Sequence, residues 1–153
     1  MSKDKAEWQY DSAMKEYCEQ TGKTPDTLTD ADEEVIWEYA GNHIAFFITW
    51  LIRHDLLGEI HHEDEEEEAD LQDVKDQKKT GMYILSTYCD MVFTDEDISE
   101  EALPFIEDYY EHQYLHDYGE VLREKVLAAG FSWDDYLKLE PVIDAAYKKF
   151  CEK

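Results

Sequence analysis

The stretch YYEHQYLHDY, residues 109–118, concentrates the chain's most reactive residue types: two histidines four apart, four tyrosines and an aspartate. Asp108, His112 and His116 follow one another at i, i+4 and i+8, a row that can hold a divalent metal on one helix face. The row lacks the Glu-x-x-His pair of di-iron bundles and the H-E-x-x-H of zinc peptidases, so it is a weak candidate. The run HHEDE at 61–65 adds two histidines, but adjacent residues on a helix face different ways. No metal centre and no cofactor are expected.

A helical wheel sharpens the reading. At about 100° per residue, Leu103, Ile106, Tyr110, Tyr114 and Val121 share one face, with Asp117 near its centre. His112 and His116 then turn outward. A buried carboxylate needs hydrogen-bond donors, and tyrosine hydroxyls or a histidine can supply them. On a second wheel His43 sits mid-face among Ile36, Ala40, Phe47, Trp50 and His54. It is either a core histidine with one buried acceptor or a ligand or general base. His43, Asp90 and Asp117 form the candidate polar cluster, with a His43–Asp117 contact as its test.

Other chemistry is sparse. The six glycines are scattered, so no phosphate loop is present, and no G-x-S-x-G elbow occurs. Cys18, Cys89 and Cys151 are odd in number and lack C-x-x-C spacing, which argues against a disulfide framework and a zinc knuckle. Nothing basic adjoins Cys89 to activate it. The 39 acidic residues against 14 basic ones give a formal net charge of −25. No run of Lys/Arg exceeds two, so nucleic acid and anionic membranes are excluded as partners, and a basic protein is the natural electrostatic complement. The candidate surface for it is Glu63, Asp64, Glu65, Glu66, Glu67 and Glu68. IAFFITWLI, residues 44–52, is far shorter than the roughly 20 residues of a membrane span. With no apolar run at the start, a cytoplasmic location is expected.

The elements that must position these residues are helical. The 153 residues suit one domain with its own core. Helix signals cover 4–20, then a long buried helix near 31–57 ended by Gly58, then an acidic connection near 59–70. Residues 80–90 read as a helix capped by Thr80, with a strand as the alternative. TDED at 94–97 has capping-box spacing, and Pro104 opens a helix reaching about Leu127. Ser132 opens another, and Pro141 is expected to begin the last. The fold expected is all-α, a single domain of five to seven helices.

Several of these pieces carry a resemblance: YDSA (10–13), TPDTL (24–28), GNHIAFFITW (41–50), TGMYILSTYCDMVFTDEDIS (80–99), FIEDYYEHQYLHDY (105–118) and the ending near LKLEPVIDAAY (137–147). The chain resembles a bacterial family of small acidic helical proteins known as a domain of unknown function. His43, Ile44, Phe47, Trp50, Thr80, Gly81, Cys89, Asp90, Tyr110, Tyr114, Asp117 and Tyr118 match its pattern. His112 and His116 are not part of it, and the acid run 63–68 departs from it. The resemblance implies a small bacterial protein and no reaction.

Three classes of function remain. An acidic module could sequester a basic partner, as immunity proteins that neutralise nuclease toxins do by type. A small-molecule binder or enzyme could use the His/Asp cluster. A regulatory protein could self-associate through an aromatic face.

Overall fold

The computed structural model describes residues 2–152. Its organising element is the helix at Asp30–Arg53, here α2, and the sequence dictates its start. The Thr29 hydroxyl accepts from Asp32 N at 3.2 Å, and the Asp32 carboxylate accepts from Thr29 N at 2.9 Å, a reciprocal capping box. Asp30, Asp32 and Glu33 add negative charge where the helix dipole is positive. From Ala40 to Ile52 every residue is buried, so this half of α2 is enclosed on all sides.

The other helices wrap it: α1 (Tyr10–Thr21) on its first half, α4 (Gly81–Tyr88) on its second, with α3 (Glu65–Lys75) and α7 (Trp133–Cys151) alongside. The helix at Leu103–Tyr109 (α5) runs through a π turn at Tyr110–Tyr114 into α6 (Leu115–Leu122). The described residues thus hold six helical bodies, within the number expected. Phe47 is the hub of the core, with rings of Tyr110, Tyr114, Trp50 and Phe93 within 6.2 Å centroid to centroid.

Four expectations are corrected. Ser2–Lys5 is not the start of a helix but a strand, β1, antiparallel to β2 at Val92–Thr94. This small sheet rests on α2 and leaves the fold predominantly helical. The long helix stops at Arg53 instead of Leu57, because Asp55 turns left-handed at φ 56° and Leu57 leaves to bridge Ile98. Gly58 is not a left-handed stop, since its φ is −66°; an added Cβ there would collide with the Glu96 carbonyl. Pro141 lies inside α7, and the carbonyl of Leu137 that it leaves without a helical donor belongs to an exposed residue. Within 80–90 the helix is the outcome, at Gly81–Tyr88, with Thr80 Oγ1 accepting from Tyr83 N at 3.2 Å.

Gly81 marks a close contact between α4 and α2. A Cβ there would overlap Thr49 Oγ1 and the Ala45 carbonyl of α2, both fixed by the Thr49–Ala45 hydrogen bond of 2.7 Å. Gly81→Ala is therefore expected to destabilise the protein by about 3 kcal/mol, the upper range for overpacking against backbone. A fall in the urea midpoint at unchanged m-value would register it.

Candidate functional site

Two buried histidines each meet carboxylates, and His43 does not use the partner expected of it. His43 Nε2 lies 2.9 Å from Asp4 Oδ2, and Tyr110 donates its hydroxyl to the same oxygen at 2.7 Å. Asp4 Oδ1 accepts from Lys5 N at 2.8 Å. All three side chains are buried. Burial works to raise the Asp4 pKa, but the hydrogen bond and charge of His43, with the Tyr110 hydroxyl, outweigh it and hold the carboxyl below its ordinary value. Tyr114 donates to the His43 carbonyl at 2.6 Å and fixes α2 to the π turn. The strand β1 thus delivers a carboxylate that the helical reading of 4–20 could not place.

The expected cluster of His43, Asp90 and Asp117 is not assembled. Asp117 is half-buried and accepts from Tyr109 at 2.6 Å and Gln113 at 3.0 Å. The π turn explains the displacement. It inserts one residue into the α-helical register, so the buried positions beyond it are Tyr118 and Leu122, where the wheel gave Asp117 and Val121. Asp90 is exposed at the end of α4, at φ 52°. Asp108, His112 and His116 are all exposed, and the same π turn breaks their i, i+4, i+8 row. They form no ligand group among the described residues.

The second cluster was overlooked in the sequence. His61, in a 3-10 turn at Glu59–His62, is buried with both ring nitrogens engaged. Nδ1 lies 2.5 Å from Glu67 Oε2 and Nε2 lies 2.8 Å from Asp97 Oδ1. Burial by itself lowers the His61 pKa, but the two carboxylates reverse the effect and raise it above the usual value. Glu67 is therefore no part of an acidic surface. Within the candidate run 63–68 it alone turns inward, while Glu63, Asp64, Glu65, Glu66 and Glu68 stay exposed. Cys89 Sγ is 3.8 Å from Asp97 Oδ1. Burial, then the charges of Asp97 and Glu67, push its pKa far up and keep it a thiol, which removes it as a nucleophile.

A third feature lies on the surface. Two shallow depressions share Trp37 and Met91 as floor. Glu7 and Asp90 rim one, beside Lys5, and Glu34 and Glu38 rim the other. Burial and the neighbouring Glu34 charge raise the Glu38 pKa, the mark of carboxylates crowded without a cation. Asp90 and Met91 reach this face from consecutive left-handed residues, φ 52° and 61°, an arrangement that costs backbone energy in non-glycine residues.

A family model described as Domain of unknown function (DUF7832) matches residues 2–131. The chain belongs to the DUF7832 family. No curated protein and no solved structure matches it. The matched span contains both histidine clusters and the Trp37 face, whereas the whole of α7 lies beyond it. α7 serves the DUF7832 core by donor satisfaction: Trp50 donates to Asp144 at 2.9 Å, and Arg53 donates to Glu140 at 2.7 Å. The family description assigns no function. None of the described helices is long and apolar enough to cross a membrane.

Proposed function

We propose that this DUF7832 protein is an acidic binding module that sequesters a basic protein, acting in a reducing cytoplasm. The observation that carries the reading is the Trp37–Met91 face, an apolar floor ringed by Glu7, Glu34, Glu38 and Asp90. Arginine fits such a face in two ways, through its guanidinium against carboxylates and over an indole. The rest of the surface supports recruitment. Removing the eight carboxylates of 59–70 from the net charge of −25 would still leave −17, so the attractive field is global. Half of its 14 basic residues are engaged: Lys3, Lys23, Arg53, Lys75, Lys79, Lys125 and Lys138 stand in ion pairs with acids. Steering by charge and anchoring on an aromatic is the pattern by which inhibitory proteins cover a positively charged active surface. The three free thiols accord with a reducing compartment.

Immobilised protein is expected to retain a basic protein from host lysate at low salt and release it as salt rises. Glu34→Lys with Glu38→Lys should weaken the purified pair about tenfold or more. Retention of the same proteins by the double variant, or no salt-sensitive retention by the wild type, would overturn the reading.

A further inference from the structure

The residues His61, Cys89 and Asp97 come from three separate elements and meet at one point. Their ligand atoms all lie within 4.8 Å of one another, the one such group among the described residues. We propose that His61 Nε2, Cys89 Sγ and Asp97 Oδ1 form a binding site for a divalent transition metal of the zinc class. This site shares no residue with the Trp37 face, although Cys89 directly precedes Asp90, and it does not rest on the sequestering function.

The donor set selects the ion. Thiolate and imidazole favour zinc, cobalt and their neighbours over magnesium and calcium, which seek oxygen. The geometry is close to what such an ion needs. With bonds of about 2.0–2.3 Å in a tetrahedron, ligand atoms stand roughly 3.4–3.6 Å apart. The Cys89–Asp97 separation is 3.8 Å, and the His61–Asp97 separation of 2.8 Å must open by about half an ångström. The ion would take the place of the proton between His61 and Asp97. The imidazolium and the thiol would each release one proton to solvent, leaving neutral imidazole and thiolate as ligands.

The surrounding contacts orient these atoms as metal sites require. Glu67 holds His61 Nδ1 at 2.5 Å, which fixes the ring with Nε2 toward the site, the carboxylate–histidine–metal arrangement. Asp97 is held by its other oxygen, which accepts from Thr94 N at 2.8 Å and Thr94 Oγ1 at 3.2 Å. Its Oδ1 is thereby turned to His61 and Cys89. Cys89 closes α4 and is partly exposed, which gives an ion its approach. Three protein donors leave a fourth tetrahedral position for water or another ligand.

Cobalt(II) titration of chelator-stripped, reduced protein tests the site. One equivalent is expected to bring visible bands of four-coordinate cobalt and a near-ultraviolet thiolate-to-cobalt band, both lost on adding zinc. Cys89→Ser should abolish the thiolate band and weaken binding at least about tenfold, while Cys18→Ser and Cys151→Ser leave both intact. Glu67→Gln should weaken binding about 10–100-fold while retaining the thiolate band. A raised Tm of the wild type with cobalt gives a second readout that needs no variant. Cobalt bound with no thiolate band would place the ion on surface acids, and a band surviving Cys89→Ser would place it elsewhere. Either result, or no binding, overturns the proposal.

Discussion

Replacing Asp4 by alanine is expected to cost about 3–5 kcal/mol of stability, a large share of what a domain of this size holds. The loss exceeds that of one ordinary hydrogen bond because three donors converge on this carboxylate. His43 Nε2 and the Tyr110 hydroxyl share one oxygen and Lys5 N takes the other. Alanine leaves the first two buried without an acceptor. It also unties β1 from α2, so the Ala6 N–H bonded to Met91 O should exchange faster with solvent. The triple change Asp4→Leu, His43→Leu and Tyr110→Phe should recover much of the loss, since replacing a whole buried polar cluster is far cheaper than orphaning its members. Urea unfolding of the single and triple variants gives both numbers. A single variant as stable as wild type would show that the cluster contributes nothing.

The same cluster sets a pH dependence. The folded-state pKa of Asp4 is depressed, so the unfolded chain binds its proton more readily as pH falls. The stabilisation is therefore fully present above the unfolded carboxyl value of about 3.9 and is lost as pH drops through the lower folded value. In Asp4→Asn this share of the acid-limb loss should vanish. Comparing unfolding midpoints of the two proteins between about pH 6 and pH 3 isolates it.

How much of this was legible depended on the range of the interaction. The capping box at Thr94–Asp97 was readable because its two partners lie three residues apart in sequence; the equally local box at Thr29–Asp32 went unread, although the helix start beside it was placed near Asp30. The burial of His43 followed from apolar spacing on one long helix. Its partner did not, because Asp4 arrives from a strand 39 residues away that has only four residues of pattern. Asp117 failed for a different reason. A wheel assumes constant register, and the π turn at Tyr110–Tyr114 adds one residue that no propensity announces. The stacked pair Tyr110–Tyr114, centroids 5.0 Å apart, is the packing that benefits. His61 was hidden by its own surroundings. In HHEDEEEE an imidazole among acids reads as solvated surface, yet His61 turns in while His62 pairs with exposed Glu68. Its ligand-bearing neighbours Cys89 and Asp97 lie 28 and 36 residues on, with no spacing motif to join them.

Replacing His61 by alanine is the second large expected loss, again about 3–5 kcal/mol, with the metal-free protein as reference. The reason is the sign of what remains. Glu67 and Asp97 are both buried, and the imidazole between them is their shared donor. Its removal leaves a cavity and takes from two carboxylates the positive group between them. Asp97 keeps its Thr94 contacts, so Glu67 suffers more and α3 should detach first from the 3-10 turn of His61. His61→Gln separates charge from hydrogen bonding. A glutamine amide can donate to one carboxylate but carries no charge, so its loss should fall between wild type and alanine. Restoring neutrality through Glu67→Gln in the alanine background should regain part of the deficit, because one of the two crowded acids is then gone. Equal stability of His61→Ala and wild type in chelator would mean that the acids find solvent or protons at no cost, and that the buried triad holds nothing together.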